Sequence, residues 1–300
     1  VVKIGLLAPF EGIERRNGYT ALAAVRQALT ADRASLAKAA TVAVIPLALD
    51  VGATPAEARR TAQKLLTDPT VKAVIGPYDP VLVEAIRPLM ARTNLPWFLP
   101  YALDPAQGIA ATATPSTTWS SALVEAVAVA AKAQGQQQLR LVGDAAGWPT
   151  AATLQQINAA LPIRLTPDVR AIDEIAATDA LLWLGNAAAA APYLTALRQS
   201  NSDVPLWLGP WGADPVLAER ADTLEQVYWI GWLDERYDAW VEEMRVGGVP
   251  TTPLAYLTYR ATEAAVATVR NAPRTPTTWR AQMYVIDERG ASHPVAVEAR

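Results

Sequence analysis

The sequence predicts an α/β protein of two lobes, and three observations carry that prediction. Short apolar runs alternate with amphipathic stretches, the order expected where crossover helices link parallel strands. A chain of 300 residues is long enough for two compact lobes of ordinary domain size. A content of 51% hydrophobic and 18% charged residues is that of a packed protein, not a disordered one.

In the first half, strands are expected over residues 2–7, 42–49, 71–75 and 97–99. The helix between the second and third of these has an explicit start. "TPAE" from Thr54 supplies an N-cap, a proline at the first helical position and Glu57 three residues on, ahead of Ala58, Ala62, Leu65 and Leu66 on one face. Behind Asp79-Pro80, Leu82, Ala85, Ile86, Leu89 and Met90 recur at helical spacing, and Pro88 is expected to kink or shorten that helix. In the second half, strands are expected over 139–142, 181–184, 206–208 and 227–230, and the Asp-Pro start returns at Asp214-Pro215. A long amphipathic helix over about 254–270 follows, then a hairpin-like pair, "QMYVID" and "HPVAVEA", joined through "ERGAS".

Composition removes several function classes. A net charge of -3 leaves no basic footprint for a phosphate backbone, so nucleic acid is not an expected partner. The chain has no cysteine, which excludes disulfides, thiolate catalysis and cysteine-bearing metal sites. Imidazole chemistry would rest on the single histidine, His293, and a surface role suits it better. The uncharged stretches 180–197 and 105–124 are not spans: the first is broken by Gly185-Asn186 and Pro192, the second is rich in Ser, Thr and Pro. There is no P-loop, no Gly-x-Ser-x-Gly elbow and no metal-spaced histidine pair, so an enzyme is not expected, and neither is a cofactor or a metal.

The ordered motifs resemble the type I periplasmic solute-binding proteins, specifically the branched-chain amino acid and amide receptors of ABC importers. "KIGLLAPFEG" with "NGYTALAAVRQAL" is similar to that family's first strand, loop and helix. "LDVGATPAEARRTAQKLLTDPTVKAVIGP", "LVGDAAGW", "LLWLGNAAAAAPYLTALRQ" and "PLWLGPWGADPVLAERA" then follow in the family's order, so the resemblance covers essentially the whole chain. It implies two Rossmann-like lobes joined by a three-stranded hinge, with solute held in the cleft between them. The lobes are expected at 1–115 plus 234–290 and at 116–233 plus 291–300, with one crossing in the Ser/Thr/Pro-rich stretch 112–118. The resemblance further implies a monomeric, exported and often lipid-anchored protein, whose targeting segment is absent from this sequence. Its partners would be a small-molecule solute and a membrane permease. A sensing or protein-interaction lipoprotein domain of the same fold is the alternative.

Against that family the expected ligand loops depart from pattern. Amino acid receptors place hydroxyls and a helix N-terminus on the ligand carboxylate and an acid on its ammonium. Here "VIG" is followed by Pro77, Tyr78, Asp79 and Pro80, the fourth strand by Tyr101, and "GPWG" carries Trp211. Tyr78, Tyr101, Trp148 and Trp211 fall at strand ends, with Tyr256 near the start of the long helix; these rings either wall an aromatic-rich pocket or fill the core. Arg15 and Arg16 either pair with an anionic group or form a solvated turn, Asn186 either meets ligand or caps its helix, and Asp79 is chiefly a helix cap.

Overall fold

The computed structural model describes residues 1–35, 42–100, 121–143, 151–167, 172–200, 203–246, 250–273, 279–290 and 292–295. By its internal contacts the chain divides into two compact units, Val1–Thr118 with Asp234–Trp279, and Trp119–Leu233 with Arg280–Arg300.

The first unit opens with β1 (Val2–Ala8), α1 (Arg15–Ser35), β2 (Val44–Asp50) and α2 (Pro55–Leu66). It continues with β3 (Val71–Ile75), α3 (Pro80–Met90) and β4 (Trp97–Phe98). The strands form one parallel sheet in the order β2-β1-β3-β4. Buried on both faces, the inner strand β1 is apolar throughout its second half, as a covered parallel strand must be. Ala58, Ala62 and Leu65 of α2 and Leu82, Val83 and Ile86 of α3 pack with Leu7, Val74 and Trp97 into one core.

The capping box forms as the sequence requires. Thr54 accepts from the Glu57 amide at 3.3 Å while the Glu57 carboxylate accepts from the Thr54 amide at 3.0 Å. Asp79 caps α3 by accepting from the Val81 amide at 2.7 Å. Pro88 lies inside α3, which ends two residues later at Met90, the shortening its missing N–H leads one to expect.

The second unit holds α4 (Ser121–Ala133), β5 (Gln138–Gly143), α5 (Ala151–Ala160) and β6 (Arg164–Pro167). Then come β7 (Asp179–Leu184), α6 (Ala187–Gln199), β8 (Leu206–Leu208), α7 (Pro215–Arg220) and β9 (Val227–Asp234). Asp214 caps α7 through the Val216 amide at 2.9 Å, repeating the Asp-Pro device. The chain re-enters the first unit for α8 (Tyr237–Val246) and α9 (Pro253–Val269), and α9 packs against α1. The chain then closes with β10 (Trp279–Ile286) and β11 (Ser292–Val295), an antiparallel pair. The second sheet is mixed, in the order β11-β10-β9-β8-β7-β5-β6.

Two details differ from the sequence expectation. β6 was not expected, because a four-residue edge strand ending in proline carries no usable periodicity. Residues 280–286 belong to the second sheet rather than the first lobe: Tyr284 of β10 stacks on Trp229 of β9 with ring centres 4.1 Å apart, and β10 brings β11 with it. The expected crossing at 112–118 lies outside the described residues.

Candidate functional site

In an open α/β sheet the carboxyl ends of the strands are where loops can meet a ligand. In the first unit two glycines shape that edge. Gly76, just past β3, has φ of +82° and sits against the Leu7 carbonyl, which a Cβ there would approach to 2.2 Å. A Cβ on Gly18 would meet the Pro9 carbonyl at 1.9 Å, so only glycine lets the first turns of α1 pass over the loop after β1. That loop is tied to β2, since the Phe10 amide donates to the Asp50 carboxylate at 2.7 Å. Trp97 closes the other side, donating its indole N–H to the Gly76 carbonyl at 2.6 Å.

Tyr78 follows directly. Its hydroxyl lies 2.9 Å from the Thr258 hydroxyl of α9, a link across 180 residues, and burial pushes its pKa above the ordinary tyrosine value. Asp79 directs its carboxylate at the Val81 amide, and Pro80 has no N–H to offer. The segment after β3 therefore presents a ring, a capping acid and a proline.

The other sequence candidates fall as follows. Arg15 and Arg16 occupy the first turn of α1 and are exposed. Beside them the exposed Tyr19 meets Phe10 edge-on, ring centres 5.6 Å apart, an aromatic pair that the sequence reading passed over. Asn186 is the N-cap of α6, its side chain accepting from the Ala189 amide at 2.8 Å. Trp211 belongs to a short 3-10 turn, Pro210–Ala213, at the carboxyl end of β8. Tyr101 and Trp148 lie outside the described residues.

Tyr256 is buried in the first unit, donating its hydroxyl to Asp234 and packing edge-on to Tyr237. Burial, reinforced by the Asp234 carboxylate, holds its hydroxyl well above the ordinary tyrosine range. Asp234 is the centre of a polar group that sequence reasoning missed. It accepts from the Arg236 amide at 2.9 Å and pairs with the Arg260 guanidinium at 3.3 Å. Arg260 donates in turn to Glu263 at 2.9 Å, and burial raises the Glu263 pKa despite the facing Arg236. The available signal was a lone arginine on the apolar face of a long helix, which must find a partner if buried.

Among the described residues, no group of three or more His, Cys, Asp or Glu side chains is placed to hold a metal ion. No helix among them is long and apolar enough to cross a membrane.

No curated protein matches the chain. A leucine binding protein, LivK, from Thermotoga maritima superposes with a TM-score of 0.72 at 15% identity, over 99% of this chain and 98% of that one. The substrate binding protein LivJ from Streptococcus pneumoniae, solved in complex with isoleucine, gives 0.68 at 16% identity, over 98% and 99%. A periplasmic binding protein type 1 from Bordetella pertussis gives 0.70 at 14% identity, over 98% and 100%. At such identities these likenesses establish the type I periplasmic binding protein fold. The family model described as periplasmic binding protein matches residues 1–221, most of the chain, and the protein belongs to that family.

Proposed function

We propose that this protein is the solute receptor of an ABC importer, non-enzymatic and monomeric. It works at the periplasmic or extracellular face of the membrane and hands its solute to a permease. It holds a small aromatic or amphipathic solute in a cleft between its lobes and closes on it by a hinge. The observation that carries the choice of solute is the segment after β3. Its acid is engaged in capping α3, its proline lacks an N–H, and its tyrosine hydroxyl is directed at Thr258. A free α-amino acid would find no serine or threonine hydroxyl in that segment for its carboxylate. Tyr78, Tyr101, Trp148 and Trp211, each following a strand, would supply ring faces, with Arg15 or Arg16 available to an anionic group.

The test is mass spectrometry of the co-purifying solute, followed by a thermal-shift screen. The screen covers aromatic acids, quaternary amines, nucleosides, amides and branched-chain amino acids. A solute at a hundredfold excess over Kd should raise stability by about 2.7 kcal/mol. Trp148→Ala and Trp211→Ala should each weaken that effect. Stabilisation by leucine-like solutes alone would overturn the aromatic assignment, and no response to any class would overturn the receptor role.

A further inference from the structure

We propose that Arg260 is a positioning residue that grips two of the places where the chain passes between its units. The chain leaves the second unit between Leu233 and Asp234 and returns to it between Trp279 and Arg280. Asp234 is the last residue of β9 and Trp279 the first of β10, and these strands are neighbours in the second sheet. Both of these end residues are held, inside the first unit, by one side chain of α9.

The Arg260 guanidinium lies 3.3 Å from the Asp234 carboxylate, and its central carbon is 5.6 Å from the centre of the Trp279 ring. Arg260 and Trp279 are at most 8% exposed, and the Asp234 side chain has no exposure at all. Removing one partner of an ion pair at such burial leaves the other charge uncompensated away from water, which costs far more than at a surface, and a desolvated cation–π contact is stronger than an exposed one. The groups around Asp234 are Tyr256 and Arg260 from α9, Arg236 beside α8, and Glu263 behind both arginines. Two acids face two arginines, so the cluster is internally balanced. The platform is firm as well: α9 packs on α1, and Arg270 pairs with Asp32 at 2.8 Å. Arg260 thus fixes where the ends of both strands sit on the first unit, and so limits the freedom of the second unit to swing about them.

The absence of cysteine makes a direct test available. Lys72→Cys and Lys132→Cys, exposed sites with one in each unit, accept a pair of spin labels on the full chain. Their distance distribution is then read by pulsed electron resonance, well below the melting temperature. Arg260→Met and Trp279→Leu should each broaden that distribution. Arg140→Met, which breaks a buried 2.6 Å pair with Asp179 inside the second unit, should lower the melting temperature and leave the width unchanged. If Arg260→Met does not fold, Trp279→Leu carries the test, because it leaves the ion pair in place. Widths equal to the parent in the folded variants would overturn the proposal, and so would equal broadening by Arg140→Met. The experiment needs no solute, so its failure would leave the receptor reading standing, and failure of that reading would leave this one.

Discussion

Replacing Gly76 with alanine separates two costs that the structure allows to be worked out one at a time. The first is conformational: φ of +82° is a left-handed value, which an L side chain occupies at about 1–2 kcal/mol. The second is steric. The new Cβ would stand 2.2 Å from the Leu7 carbonyl oxygen, well inside any real Cβ contact. That oxygen belongs to β1, paired on both sides by β2 and β3, so it cannot rotate aside as a side-chain tip would. Relief requires parting β1 from β3 by most of an ångström in the middle of the sheet. The total should be about 3–5 kcal/mol, in the range reserved for core disruption. Gly12 is the control in the same unit: φ is +71° there too, but nothing lies within 4 Å of an added Cβ. Gly12→Ala should therefore cost only the conformational share, about 1–2 kcal/mol. Urea unfolding of both variants, compared through their midpoints at unchanged slope, gives the difference directly. Equal destabilisation would refute the reasoning, because it would mean that the Leu7 carbonyl imposes no limit.

Two further outcomes follow from caps and charges. Asp79→Ala should lose about 1 kcal/mol in the same assay and Asp79→Asn only a few tenths, since asparagine caps almost as well; a large loss of solute binding in Asp79→Asn would show that the acid serves the ligand instead. Asp68 is held down to about 2, chiefly by its hydrogen bond with Lys3 at 2.7 Å and then by Thr70. With a folded pKa below the ordinary 3.8, its contribution is present above that value and lost as pH falls toward about 2. Asp68→Asn should therefore show a shallower loss of melting temperature than the parent between those two values, and an unchanged slope would rule the pair out as a source of acid sensitivity.

Local chemistry was readable in the chain. "TPAE", Asp79-Pro80 and Asp214-Pro215 each start a helix by a hydrogen bond spanning two or three residues, and no distant partner can alter that requirement. The apolar runs behind β1, β3, β7 and β8 were equally plain, because a parallel strand covered on both faces leaves little room for polar residues. What the chain hid depends on partners far away in sequence. Nothing near residues 279–286 says that the strand will lie beside β9, and β6 is too short to announce itself. The candidate site divides the same way. The Asn186 cap is a local device, whereas Tyr78 meets Thr258 across 180 residues and Asp234 meets Arg260 only once α9 has docked.

The pairing of α1 with α9 has a consequence for how the molecule comes into being. Asp32 waits for Arg270, 238 positions later, so the ribosome has made all of that intervening chain before the first helix finds its cover in α9. Each unit is assembled from two stretches of chain separated by part of the other, and neither could be obtained by cutting the gene at a single point. Contacts this distant close slowly, and until they do the side of α1 that α9 covers stays open to wrong partners. Deletion of the last fifty residues should therefore damage the beginning of the protein as much as its end.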